Sequence, residues 1–233
     1  MAVIKVMSAG AVQAMVTALG GEFERASGHT LSLAFNTAGA LRERFLSGEI
    51  PDLLILPASG IEVLERAGHF VPGSRTDLGR TVTGVVVRAG APKPDISTPE
   101  AFKRALLNAK TVSHTDPKRG GSSGNYFAGL LEWLGIADEI GRKSVLGKRG
   151  HDVARLVADG QAEIGTTFIS EILTVPGTQV VGPLPGDLHN SNVYTAAIPA
   201  RAASPELARA LLARLVDPAG RSRWIDAGLE PAF

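Results

Sequence analysis

The sequence lacks cysteine, an excess of charge and long apolar runs, and each absence excludes a class of function. Without cysteine there is no disulfide, no thiolate metal site and no cysteine nucleophile. Lysine and arginine number 24 against 23 aspartate and glutamate, so a net charge of +1 offers no field that attracts nucleic acid or an anionic membrane. No apolar run approaches the roughly 18 residues that span a bilayer. We therefore expect neither nucleic-acid binding nor membrane insertion.

The first residues, Met1 to Val6, read as a strand and not as a secretion signal, because a basic region followed by an apolar one is missing. Two locations stay open on this ground. The protein is periplasmic if a leader has been removed from it, and cytoplasmic if the chain as written is the native one.

The 233 residues that are present have the composition of a folded protein, with 44% apolar and 20% charged residues. Short apolar runs alternate with helical patterns, beginning with a strand at 4–7 and a helix that carries Val12, Val16 and Leu19 on one side. The run 53–56 is continuously apolar, which is typical of a parallel strand buried on both faces. This β-α-β order predicts parallel strands joined by right-handed crossovers.

A second α/β unit follows the long apolar strand predicted at 81–88, and a strand near 193–198 leads back to the terminal helices. We predict two lobes, one formed by 1–82 plus 197–233 and the other by 83–196. The two crossing strands then act as hinges, and the ligand cleft lies between the lobes.

Four turns are candidates for holding that ligand, because ligands in open α/β sheets bind beyond the carboxyl ends of the strands. They span 7–11, 36–40, 116–124 and 148–152, the last with Thr166–Phe168 nearby. The third combines two cations, three glycines and two serines directly before a helix, a composition that suits a carboxylate. It does not have the spacing of a phosphate-binding P-loop. Taken singly, each turn is also explained as a tight turn or a helix cap.

These turns resemble those of the periplasmic molybdate-binding protein family, the solute receptors of a class of ABC importers. The likeness runs nearly end to end and is clearest at Ile4–Ala11, Phe35–Leu41, Asp52–Leu56, Asp116-Pro117, Gly124–Tyr126 and 153–165. It implies the α/β fold of type II periplasmic binding proteins, with two lobes, each a mostly parallel sheet flanked by helices, and two hinge strands. It also implies a small anionic ligand, an ABC permease as partner if the protein is exported, and neither a cofactor nor a metal.

The resemblance fails at the molybdate signature itself. The serines that hold the oxyanion in the family correspond to Ala11 and Ala38, and a family tyrosine corresponds to Phe168. We therefore expect an organic carboxylate and not molybdate, since a site that loses its hydrogen-bond donors rejects its former ligand. The residues predicted to contact the ligand are Ser8, Gly10, Ala11, Asn36, Thr37, Ala38, Lys118, Arg119, Ser122, Ser123, Arg149, Gly150, Thr167 and Phe168.

An enzyme on the same scaffold is the alternative interpretation. Aconitate isomerase is similar to this family and shifts a proton along a tricarboxylate. Such chemistry needs cations for the carboxylates and a group that takes and returns a proton, for which the candidates are His151, Asp152 and Glu171. A solute receptor, a cofactor-free isomerase of di- or tricarboxylates, and a sensor or accessory domain all remain open at this point.

Overall fold

The chain divides into two compact units in the computed structural model, which describes residues 1–233. Unit 1 comprises Met1–Arg80 and Asn192–Phe233, and unit 2 comprises Thr81–Ser191. The chain leaves unit 1 within strand β4 (Thr76–Arg88) and returns to it near the start of strand β9 (Ser191–Ala197).

Unit 1 is an α/β unit. Besides the first part of β4 and most of β9, it contains β1 (Val3–Ala9), α1 (Gln13–Ser27), β2 (Thr30–Asn36), α2 (Ala38–Leu46), β3 (Leu53–Pro57), α3 (Ala58–Arg66), α9 (Pro205–Leu215), α10 (Arg221–Asp226) and β10 (Glu230–Pro231). Its strand order is β2-β1-β3-β9. The first three run parallel, β9 pairs antiparallel with β3, and β10 pairs antiparallel with the first part of β4.

The β3 strand confirms the interpretation of its continuous apolar sequence, because all of its residues are buried. Asp52, the residue before β3, adds a side-chain contact to the pairing of β3 with β1. Its Oδ2 accepts a hydrogen bond from the backbone N–H of Lys5 at 2.8 Å. Oδ1 accepts from the N–H of Ser204 at 2.7 Å, directly before α9. One buried carboxylate thus joins three segments that are far apart in sequence.

Unit 2 contains the second part of β4 and the elements α4 (Pro99–Asn108), β5 (Val112–Thr115), α5 (Ser122–Trp133), α6 (Ala137–Arg142), β6 (Ser144–Gly147), α7 (Gly150–Ala158), β7 (Ile164–Phe168), α8 (Ile169–Ile172) and β8 (Thr178–Pro183). β7, β5 and β6 are parallel neighbours, and β4 pairs antiparallel with both β7 and β8.

The two faces of this second sheet are covered by different helices. Phe102 of α4 and Phe127 of α5 are fully buried in the larger core, together with Val112 of β5. On the opposite face, a Cβ at Gly165 of β7 would lie 2.9 Å from Cγ2 of Val157, so α7 packs directly onto the strand there. Side chains alternate between faces along a strand, and this alternation decides which of them point toward α7.

Several elements differ from the predicted ones for physical reasons. β4 begins at Thr76 and not at 81, because its first residues include the charged Asp77 and Arg80 and so lack an apolar run. The short helices α6 and α8 were not predicted, since so few residues carry no helical period. The last part of the predicted terminal helices is a 3₁₀ turn at Pro218–Gly220 followed by α10.

No helix in the chain combines the length and the apolar character that crossing a membrane requires.

Candidate functional site

The first two predicted turns are neighbours in unit 1. β1 and β2 are parallel and Ala9 pairs with Asn36, so the turns after both strands lie at the same end of the sheet, the carboxyl end of these strands. Ser8 is fully buried, and its Oγ donates to the carbonyl of Ala9 at 3.1 Å. Gly10 and Ala11 lie in a 3₁₀ turn that leads into α1.

The second of these turns uses its polar groups on its own backbone. Asn36 Oδ1 accepts a hydrogen bond from the N–H of Thr37 at 2.9 Å. Thr37 Oγ1 accepts from the N–H of Ala40 at 3.4 Å and so caps α2, whose first residue is Ala38. Both turns of unit 1 contain no charged residue. The side-chain oxygens of Ser8, Asn36 and Thr37 already have hydrogen-bond partners in the chain.

The remaining predicted residues gather at the carboxyl ends of β5, β6 and β7 in unit 2. The N–H of Asp116 donates to the carbonyl of Gly147 at 3.0 Å and joins the ends of β5 and β6. Asp116 Oδ1 also accepts from the N–H of Lys118 at 3.0 Å, which holds the 3₁₀ turn that carries the exposed side chains of Lys118 and Arg119.

The turn then enters α5 through a left-handed glycine and two serines. Gly120 has φ 66°, a conformation that favours glycine. Ser122 opens α5, and Ser123 after it is buried. A Cβ at Gly124 would lie 2.6 Å from the carbonyl oxygen of Thr115, so the start of α5 rests directly on the end of β5.

The start of α7 carries a second group of charges. Asp152 Oδ2 accepts from the N–H of Arg149 at 3.0 Å, and its Oδ1 lies 3.6 Å from Arg149 Nη2. His151 Nδ1 lies 3.0 Å from Thr174 Oγ1, and its Nε2 lies 3.4 Å from Arg155 Nη2. Burial, with Arg155 nearby, lowers the pKa of His151.

Glu171 is the most unusual group of this region. It follows β7 and is 7% exposed, and one of its carboxyl oxygens, Oε2, accepts a hydrogen bond from Thr167 Oγ1 at 2.9 Å. Burial raises its pKa to about 7, against the opposing effect of the Thr167 hydrogen bond. A Cβ at Gly150 would lie 1.8 Å from Glu171 Oε2, so the carboxyl group lies against the first residue of α7. Phe168, which follows Thr167 in the sequence, is buried.

Buried hydroxyls without a partner in the chain surround these strand ends. They are Ser113 Oγ, Thr115 Oγ1, Thr166 Oγ1 and Ser170 Oγ. Sequence reasoning named Thr166 only as a neighbour of the fourth turn and missed the other three. One signal was present, because hydroxyl residues interrupt β5 and β7, where apolar residues are typical of buried parallel strands.

The structure thus brings the predicted residues together in two groups, one in each unit. A surface cavity of about 470 Å³ in unit 2 contains none of them, since it is lined by residues such as Val87, Lys93, Arg104 and Glu163. No group of three histidine, aspartate or glutamate side chains is arranged to hold a metal ion.

Comparison with known proteins identifies the family. Residues 4–230 match the family of bacterial extracellular solute-binding proteins. The chain belongs to this family. The resemblance inferred from the turns is therefore confirmed.

Two curated relatives of this solute-binding protein differ in what their names say they act on. Aconitate isomerase of a Pseudomonas species is 31% identical over 98% of this chain and 87% of its own length. The molybdate-binding protein ModA of Mycobacterium bovis is 24% identical over 94% of this chain and 80% of its own length.

A solved structure confirms the predicted fold class of the solute-binding protein. The periplasmic molybdate-binding protein of Azotobacter vinelandii matches with a TM-score of 0.77 at 19% identity, over 97% of this chain and 98% of that one. The fold is therefore that of the type II periplasmic binding proteins. At this identity the likeness concerns the fold and not the ligand.

Proposed function

We propose that this solute-binding protein binds a small organic anion with one or more carboxylates, and not molybdate. The turns of unit 1 and the strand ends of unit 2 are the predicted contacts, and the predicted lobes with the ligand between them are part of this proposal. The observation that carries it is the combination, at the ends of β5, β6 and β7, of three cations with buried hydroxyls that lack partners. Cations and free hydroxyls are what a carboxylate requires.

The positions that correspond to the family's oxyanion contacts support the same ligand class. Ala11 and Ala38 have no hydroxyl, and Phe168 lacks the phenolic oxygen of tyrosine. A tetrahedral oxyanion would leave its charge without these donors, whereas a larger carboxylate gains the space of the smaller side chains. The relative at 31% identity is named for a tricarboxylate, which agrees with this choice.

A thermal-shift screen against di- and tricarboxylates, molybdate, tungstate and sulfate tests the proposal. A ligand at a hundred times its dissociation constant adds about 2.7 kcal/mol to the free energy of unfolding, which raises the melting temperature visibly. We expect a carboxylate such as trans-aconitate to do so and molybdate not to. Tight molybdate binding without any carboxylate binding would contradict the proposal.

A pair of lysine variants locates the contact. Lys118→Ala removes a cation of the candidate site, and we expect about tenfold weaker carboxylate binding, the value of one charge-assisted contact. Lys93→Ala removes an exposed lysine of the same unit outside the candidate site, and it should leave the affinity unchanged. Equal effects of the two substitutions would show a general effect of charge and not a contact.

If the protein is a receptor that only binds its ligand, its role is in transport. A receptor of this family works outside the cytoplasm, and we propose the permease of an ABC importer as its partner. Purified permease reconstituted in vesicles should take up the carboxylate only when the receptor is present.

A second candidate function, isomerisation of a di- or tricarboxylate, is favoured by Glu171. Its pKa of about 7 suits a group that takes and returns a proton near neutral pH. In such a reaction one C–H bond breaks, another forms and the double bond moves, so the atoms balance without a cofactor. Asp152 fits the role less well, because one of its carboxylate oxygens accepts a hydrogen bond from the backbone N–H of Arg149 and the other forms an ion pair with the Arg149 guanidinium.

Incubation of trans-aconitate with the protein in D₂O, followed by proton NMR, separates the two functions. A receptor leaves the compound unchanged, whereas an isomerase converts it and introduces deuterium from the solvent. In an isomerase, Glu171→Gln should abolish conversion while trans-aconitate still raises the melting temperature. Conversion that survives Glu171→Gln, His151→Asn and Asp152→Asn would show that the proton carrier lies elsewhere.

A further inference from the structure

Glu171 is a buried carboxyl group without a counter-ion. The carboxyl accepts the Thr167 hydroxyl hydrogen bond, but no cation lies within ion-pair distance of it, since Arg149 pairs with Asp152 instead. A buried charge without a partner is costly, so the neutral form is favoured. Burial is accordingly the largest cause of the pKa of about 7.

The position of this carboxyl is also the position that an anion would take. Helix α7 begins at Gly150, and the first N–H groups of a helix, with the positive end of its dipole, attract negative charge. Oε2 of Glu171 fills the space where a side chain on Gly150 would begin, at 1.8 Å from that Cβ position. The protein therefore places its own acid where a ligand's carboxylate would be stabilised.

A second observation, at the neighbouring end of β5, points to a ligand at these strand ends. β5 and β7 pair with His114 opposite Thr166, and continuing the register sets Thr115 beside Thr167. The Thr115 side chain meets the start of α5, where a Cβ on Gly124 would lie 2.9 Å from the Cβ of Thr115. The Thr115 hydroxyl is 2% exposed and has no partner in the chain. A buried hydroxyl at the carboxyl end of β5 thus remains to be satisfied.

The charged surroundings of Glu171 come from one element. α7 and its cap contribute Arg149, which favours the ionised form, and Asp152, which opposes it. His151 of the same helix is turned to Thr174 and Arg155. β7 and β8, which pack against α8, contain no titratable residue.

We propose that Glu171 takes up a proton when the anion binds, so that ligand binding is coupled to protonation of this one residue. This inference rests on the proposed function in its receptor form, because an isomerase would need Glu171 ionised to take a proton from the bound substrate. A bound negative charge favours the neutral carboxylic acid, and by linkage the protonated protein binds the anion more tightly. The neutral acid can then donate its O–H to the ligand, which the carboxylate cannot.

The coupling has a defined size. A group with a pKa of about 7 is protonated in roughly nine-tenths of the molecules at pH 6 and one-tenth at pH 8. If only the protonated form binds, the apparent Kd rises about tenfold between these pH values.

Calorimetric titration of the whole protein with trans-aconitate at pH 7, in two buffers of different ionisation enthalpy, counts the protons. The wild type should take up a fraction of a proton that the isosteric Glu171→Gln variant does not, and the ligand's own protonation cancels in the difference. His151→Asn is the control and should keep the uptake. Uptake that persists in Glu171→Gln and disappears in His151→Asn would overturn the assignment.

The raised pKa of Glu171 can also be tested without a ligand, by NMR titration of the protein alone. The ¹³C carboxyl signal of Glu171, assigned by its absence in Glu171→Gln, should titrate near pH 7, and titration below pH 5 would overturn the inference. Binding of trans-aconitate without proton uptake defeats the inference and leaves the proposed function intact. Absence of binding by every carboxylate tested, with Glu171 still titrating near pH 7, defeats the proposed function and the coupling with it.

Discussion

The two units treat their buried polar groups differently. In unit 1 every buried polar side chain has a partner in the chain: the members are Ser8, Thr37, Asp52, Ser74 and Thr195. In unit 2 the four buried hydroxyls without a partner lie in or next to β5 and β7, and a buried acid lacks a counter-ion. Because an unpaired buried polar group costs stability, a protein retains it where something else satisfies it. Unit 1 thus satisfies its buried polar side chains within the chain, whereas unit 2 leaves four buried hydroxyls without a partner.

The largest expected effect tests the completeness of unit 1. Asp52→Ala removes the acceptor of two N–H groups, those of Lys5 and Ser204, and we expect about 4 kcal/mol lower free energy of unfolding from two hydrogen bonds to a charged group. Urea unfolding measures this. The exposed Asp226, at the end of α10, provides the control, since Asp226→Ala should change stability by less than about 0.5 kcal/mol. A small effect of Asp52→Ala would break the comparison.

The next effect concerns the buried acid of unit 2. The pKa of Glu171 is raised to about 7 from 4.5, so the folded protein holds a proton that the unfolded chain releases between these values. Its contribution to stability is present below pH 4.5, is lost as the pH rises to about 7, and amounts to about 3 kcal/mol.

Urea unfolding of the wild type and of Glu171→Gln, at intervals from pH 4.5 to 8, measures that loss as a difference. The subtraction is needed because His114 and His151, whose pKa values are lowered by burial, change stability in the opposite direction. The wild type should lose stability relative to the variant up to about pH 7 and then run parallel to it. A constant difference would show that Glu171 is ionised throughout.

A glycine pair tests how closely the acid approaches α7. Gly150→Ala places a Cβ 1.8 Å from Glu171 Oε2, so the carboxyl must move, and we expect about 2 kcal/mol of destabilisation. Gly129→Ala on the exposed side of α5 has nothing within 4 Å of the new Cβ, so it should stabilise by up to about 1 kcal/mol. Thermal unfolding compares them, and equal effects would contradict the close approach.

The smallest expected effect on stability comes from a threonine-to-valine substitution, made once in each unit. Thr195 of unit 1 and Thr166 of unit 2 are fully buried strand residues. Thr195→Val removes the hydrogen bond from Oγ1 to Asp77 Oδ1 at 2.5 Å, and we expect a loss of about 1.5 kcal/mol. Thr166→Val replaces a hydroxyl that has no partner, so stability should stay equal or rise slightly. If Thr166→Val is as costly as Thr195→Val, unit 2 is as complete as unit 1.

Much of the fold could be predicted because its signals are local. The apolar run of β3 lies within a few residues, and the structure has every residue of β3 buried. A helix start such as Thr98-Pro99-Glu100 is equally local, and Thr98 Oγ1 caps α4. The turns that enter α2 and α5 were found in the same way, from glycines and hydroxyls after strands, and the turn that enters α7 from its cations, glycine and histidine. Their role in binding an organic anion stays a prediction.

What the sequence missed depends on contacts between distant segments. Asp52 was predicted only as part of the family likeness, yet it binds segments 47 and 152 residues away in the chain. Glu171 was predicted as one of three proton carriers, but nothing local distinguishes it from Asp152, because the difference lies in what each touches.

By itself, the sequence determined the α/β class, the parallel strands and the small, polar turns at their ends, since the period of apolar residues and the chemistry of helix starts are properties of neighbouring residues. Only the tertiary structure decided which polar groups are left without partners. Strand register set His114 beside Thr166, and the packing of α8 against α7 buried Glu171 against Gly150. Burial removes water from a charged or polar group, and no residue's burial is fixed by its neighbours in sequence alone.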